Sequence, residues 1–244
     1  MTRTTPRDAV ADWSARPDLV DGDDERFTGY GVMGVPFASG HYLALRDMVA
    51  SSVGPAYRAV WHRTPEGQWT IYTTAAPELS CPRYFGAVSR AVRVGRIEVT
   101  WSGDYHCDVT VDQDLSWRIE LGATAATRLM TSIGTAMPLA AWDDAAVLAS
   151  MGPMARIMLR SGRIRLGGRA PSGARFRVAP LQVWPVVGGG ATVRGQSLGT
   201  LAPLAEQARL TDMWLPQRGL FFIGRARFSV AAIGSLPSVM GAAS

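Results

Sequence analysis

The chain reads as a mainly β protein, a large antiparallel β barrel or two packed sheets with a short helical insertion at about residues 123–160. Three observations predict this class. Apolar residues alternate with period two through most of the chain, turn-forming tripeptides separate the alternating runs, and one Ala- and Met-rich stretch switches to helical spacing.

The first 25 residues are charged and punctuated by proline, and they read as a disordered N-terminal segment. Strands are predicted at HYLALRDMV (41–49), YRAVWHR (57–63) and QWTIYTT (68–74). The segment CPRYFGAVSRAV (81–92) then reads as a chain reversal. The runs RIEVTW (96–101), YHCDVTV (105–111) and LSWRIEL (115–121), joined by SGD and DQD, predict a three-stranded antiparallel meander from about Val92 to Leu121. From Ala123 to Leu159 the spacing predicts two or three short helices, broken at Pro138 and at Gly152-Pro153. Strands resume at RIRLGG (163–168), ARFRVAP (174–180), LQVWPVV (181–187), ATVRG (191–195) and RGLFFIGRARFSV (218–230). Residues 26–232 are expected to form a single β-rich domain, followed by a loose tail over 233–244.

A chain of 244 residues that is 47% hydrophobic can bury a sizeable core. It lacks an apolar run of membrane-spanning length and a signal-peptide core, so a soluble cytoplasmic protein with no membrane span is expected. Cys81 and Cys107 are too few for a disulfide framework, and neither they nor the histidines have metal-site spacing. No metal or cofactor is expected. All 25 basic residues are arginine, and the missing lysine excludes Schiff-base, pyridoxal-phosphate and P-loop chemistry.

The net charge of +5 is unevenly spread: residues 145–205 contain no Asp or Glu and eight arginines. Only Phe176 and Trp184 interleave them, too few for a stacking platform, so no nucleic-acid partner is expected. If the strands around Arg163, Arg165, Arg175 and Arg177 pair, four guanidinium groups crowd one face. Carboxylates of the meander, Glu98, Asp108 and Glu120, are the expected compensation, and an anionic ligand is the alternative.

Among ionisable groups, His41, His62 and His106 lie on predicted strands, and His62 is the acid/base candidate. Neither a GxSxG elbow nor a dinucleotide fingerprint is present. Cys81 precedes Pro82 with no visible base and reads as structural. Met130, Met151 and Met154 either cap one end of the β core or line an apolar pocket and touch substrate.

Three segments resemble the acetoacetate decarboxylase-like superfamily. GPAYRAVW (54–61) is similar to the strand written GPYxEV in that family. CPRYFGAVSRAVRVGRIEV (81–99) resembles the segment where a Gly-Tyr/Phe-Pro-Lys turn enters a meander, and PLAEQARLTDMWLP (203–216) resembles its closing PVxE…D…LP stretch. The resemblance implies a cone-like β barrel around a pocket. It also locates two departures: Ala87 or Val88 stands where the family has its Schiff-base lysine, and Arg58 stands where it has a glutamate. Imine-based decarboxylation is therefore closed to this chain. The resemblance implies Arg58 as an inward carboxylate binder, with Arg83, Tyr84 and Glu78 near the pocket mouth.

Besides a non-catalytic interaction protein whose Arg faces dock an acidic partner, two functional readings follow. One is a small-molecule lyase, dehydratase or cyclase that uses Arg58, Tyr84 and His62 non-covalently on a partly apolar carbonyl or carboxylate substrate. The other is a calycin-like barrel, of the lipocalin or carotenoid-hydratase-related kind, that binds or hydrates a terpenoid or polyketide. The expected partner is a small molecule in either case, and a homo-oligomer is compatible with both.

Overall fold

The computed structural model describes residues 4–229. It opens with helix α1 (Pro6–Ala15), strands β1 (Glu25–Pro36), β2 (Tyr42–Ser51), β3 (Tyr57–Arg63) and β4 (Trp69–Thr73), and the short helix α2 (Pro82–Phe85). Strands β5 (Ala91–Val94), β6 (Ile97–Gly103), β7 (His106–Val111) and β8 (Leu115–Leu121) lead to helices α3 (Ala125–Ala136) and α4 (Ala145–Leu159). Strands β9 (Gly167–Arg169), β10 (Arg175–Val193), β11 (Gln196–Ser197), β12 (Arg209–Leu210), β13 (Met213–Trp214) and β14 (Leu220–Ser229) complete the order.

The main sheet runs β5-β4-β3-β2-β1-β14-β10-β8-β7-β6 and curls into a half-barrel, with β9 and β11 attached to β10. Strands β12 and β13 pair separately. The mainly β class with a helical insertion is the one the alternation predicts. The meander β6–β7–β8 also forms, but it begins at Ile97. Residues 91–94 leave it and run parallel to β4.

Alternation assigns each strand two faces. Val32, Leu43, Leu45, Val60, Trp117, Ile119 and Phe221 point inside the curl and form one core. On the opposite face Phe27, Tyr42, Trp61, Ile71, Tyr84 and Phe176 form a second core beneath α2 and the β12–β13 segment. A third lies beneath α3 and α4, where Met130, Trp142, Leu148 and Met151 meet Leu181, Val183 and Phe222.

Several expectations are corrected. The segment expected to be disordered contains α1, capped by Thr5 and led by Pro6, with Ala9 and Val10 buried against the inner core. Strand β1, which carries no predicted strand, sits between β2 and β14. Its glycines hide the alternation. A Cβ at Gly31 would lie 2.1 Å from the Leu45 carbonyl oxygen, so glycine is what permits the close approach of β2. Helix α4 runs through Gly152-Pro153 without a break. Three predicted strands over 174–195 are one strand, β10, bent at irregularities near Pro180 and Val186. Finally, 81–92 is no reversal: β4 and β5 are parallel, so α2 lies on a crossover connection. The tail over 233–244 lies outside the described residues.

Candidate functional site

On the face of the sheet away from the curl, β1, β2, β3, β14 and α2 enclose an apolar cavity of about 50 Å³. A single water needs roughly 10–15 Å³ on this scale, so the cavity has room for about three to five water-sized groups. Its walls include Met48, Tyr57, Trp61, Cys81, Tyr84, Phe85 and Phe228. Three arginines are among the lining residues: Arg165 and Arg225 are ion-paired with Asp212 and Asp18, and Arg46, 8% exposed, is the buried one.

Strand alternation puts Arg46 there, because Tyr42, Ala44 and Met48 share its face of β2. Its Nη1 donates to the carbonyls of Val32 (2.7 Å) and Leu45 (2.8 Å). The guanidinium lies over Trp61 at 5.0 Å and over Phe222 at 5.5 Å. Among the described residues no carboxylate lies within ion-pairing distance. Burial pulls its pKa below the usual arginine value. Removing an ion from water without a partner costs several kcal/mol, and cation–π contacts return about 2 kcal/mol when desolvated. The remaining donors are suited to an anion that enters from outside.

Helix α2 supplies the facing wall. Pro82 occupies its first turn, which delivers Tyr84 and Phe85 as buried neighbours. The Tyr84 ring stacks on Phe228 at 3.8 Å, and its hydroxyl donates to Glu25. Arg83 binds the same carboxylate through Nη2 (2.6 Å) and Nε (3.1 Å). Burial raises the Glu25 pKa, but the hydrogen bonds from Arg83 and Tyr84 outweigh it and leave the carboxyl below its ordinary value. Burial, the hydrogen bond to Glu25 and the charge on Glu25 push the Tyr84 phenol well up. Trp61 Nε1 donates to Cys81 Sγ at 3.1 Å, and burial drives that thiol up to about 12. Cys81 is therefore neutral and no nucleophile.

The residues singled out from sequence do not gather in this cavity. Tyr84 lines it, while Arg83 stands outside it on Glu25. Arg58 projects from the other face of β3, where its Nε binds Asp47 at 2.8 Å and Tyr30 donates to the same oxygen at 2.6 Å. The buried arginine that lines the cavity is Arg46, one strand away. His62 shares the Arg58 face and stacks on His41, with Nδ1 of His41 2.8 Å from Nε2 of His62. Burial, His41 and Arg194 lower the His62 pKa to about 4. Glu78 is exposed. Met130 and Met151 are buried, and Met154 half-buried, in the core under the helices, apart from the cavity.

Arg46, Tyr57 and Glu25 carry no site assignment in the sequence reading. A signal for Arg46 exists: it is the one charge on a strand face otherwise made of Tyr42, Ala44 and Met48. Tyr57 offers none, and Glu25 falls in the stretch that composition marks as disordered. Among the described residues no group of three or more His, Cys, Asp or Glu could hold a metal ion. No described helix is long and apolar enough to cross a membrane.

No protein-family model matches the chain, and no curated protein matches its sequence. Among solved structures, acetoacetate decarboxylase from Legionella pneumophila is similar over 87% of this chain and 89% of that chain, at 9% identity and a TM-score of 0.39.

Proposed function

We propose that the protein is a small-molecule enzyme of lyase, dehydratase or cyclase type that binds a small, partly apolar carboxylate or carbonyl compound in the Arg46 cavity. The observation that carries this reading is a buried arginine without a carboxylate partner, aimed into an apolar cavity. Negative charge developing on a substrate oxygen beside Arg46 is stabilised by a fixed cation in a water-poor site, where electrostatic effects are large. Tyr84 orients the substrate, because its proton is committed to Glu25. No covalent lysine is required. The volume of about 50 Å³ supports a short-chain substrate over a carried terpenoid or polyketide.

The test is binding and turnover of short β-oxo and β-hydroxy carboxylates by the wild type and by Arg46→Met. The wild type should bind the acids and reject their amides. The variant should keep its fold and lose about a hundredfold in affinity, since hydrogen bonds to a charged group contribute about 1.5–3 kcal/mol. Equal binding of acid and amide, or unchanged affinity in Arg46→Met, would overturn the reading.

A further inference from the structure

A second concavity, about 760 Å³, lies between α4 and the segment 163–177. Six arginines line it, Arg156, Arg163, Arg165, Arg169, Arg175 and Arg177, with Asp212 the carboxylate among its lining residues. Period two builds the array. Ile164, Leu166 and Phe176 are buried, which turns Arg163, Arg165, Arg175 and Arg177 outward together. The β9–β10 register then sets Arg175 directly opposite Arg169, a like-charge pair that destabilises the sheet.

Internal carboxylates leave most of this charge unmatched. Asp212 binds Arg165 Nη1 at 3.2 Å and accepts the Arg169 backbone N–H at 3.0 Å. Asp143 lies 4.0 Å from Arg177 but is held by Arg227 at 2.9 and 3.0 Å. Two of the three expected meander partners are engaged elsewhere, Asp108 with Arg118 and Glu98 with Arg96. Among the described residues, Arg156, Arg163, Arg169 and Arg175 have no carboxylate within 4.0 Å. Arg163 rests instead on the Trp214 ring at 4.7 Å.

We propose that this groove is a binding site for the di- or polyphosphate group of a small molecule. Guanidinium forks match phosphate oxygens in geometry and charge, and several can share one polyphosphate. The volume falls in the roughly 300–1,000 Å³ range of small-molecule sites. A nucleic-acid strand is disfavoured because the groove offers no free aromatic platform: Phe176 is buried, and Trp214 is covered by Arg163 and Arg209. Arg165 also lines the Arg46 cavity, so a phosphate group in the groove leaves an attached apolar group beside that cavity. Only this last link rests on the function proposed above.

The experiment is calorimetric titration of the full chain with inorganic pyrophosphate and with ADP at near-physiological salt, repeated on the double variant Arg169→Gln/Arg175→Gln and on Arg46→Met. Saturable binding of one pyrophosphate or ADP per chain is expected, weakened at least tenfold in the double variant and unchanged in Arg46→Met. Preference for ADP identifies a nucleotide as the source of the phosphates, and equal binding identifies the diphosphate itself. Because the double variant removes opposed like charges, it should melt no lower than the wild type without ligand. Absence of saturable binding, undiminished affinity in the double variant, or binding confined to an oligonucleotide or polyglutamate would overturn the proposal. Loss of carboxylate binding with retained pyrophosphate binding would remove the function proposed for the cavity and leave this site standing.

Discussion

Arg46 and Arg58 carry the same side chain on neighbouring strands yet have opposite roles in the structure. Arg58 lies directly across from Asp47 in the β2–β3 register and closes a three-way contact with Tyr30 inside the curl. Arg46 shares its face with apolar residues, lines the cavity and has no carboxylate partner among the described residues. Arg58→Met should therefore lower unfolding free energy by about 2 kcal/mol in urea titration, because Asp47 loses a charged partner. It should leave carboxylate binding intact. A variant with normal stability and no binding would place Arg58 in the site after all. Alternation alone makes Arg58 inward-facing relative to some core, and the molecule has cores on both faces of this sheet. Residue type and spacing could therefore nominate an arginine but not choose the face.

Most strands were legible because their alternation is clean: β3 and β8 occupy the ranges that period two predicts. The alternation of strand β1 is hidden because Gly29, Gly31 and Gly34 interrupt its pattern, and those same glycines admit its neighbours. Gly31→Ala would drive a methyl group to 2.1 Å from the Leu45 carbonyl oxygen. The expected cost is about 3 kcal/mol, at the upper end for overpacking, or failure to fold. Gly190→Ala, with nothing within 4 Å of its new Cβ, is the control and should shift the denaturation midpoint little. Helix α4 shows the complementary failure. Pro153 normally ends a helix, but burial of Leu148, Met151 and Ala155 on one side of it outweighs a lost hydrogen bond. Local chemistry predicted the break, and packing overrode it.

At the scale of the whole molecule, the folded state constrains where protons can bind. His62 is 6% exposed and keeps a pKa of about 4 in the folded chain, against an ordinary value of 6.5. Between those values the unfolded chain binds the extra proton. Stability should therefore be constant above about pH 6.5 and fall as pH drops toward 4, by at most about 3 kcal/mol from this group. Urea unfolding at several pH values should show that slope in the wild type and a shallower one in His41→Asn/His62→Asn. An equal slope would remove the pair from the account. The sequence by itself determined the β class, the meander, the helical insertion, the exclusion of lysine chemistry and the arginine surplus. Each of these depends on composition or on contacts close along the chain. Only the tertiary structure decided which arginine is buried against the cavity, that Glu25 anchors Tyr84, and that six of the surplus arginines line one groove. Those outcomes depend on the pairing of segments far apart in sequence, and on which face of a sheet with cores on both sides each side chain joins.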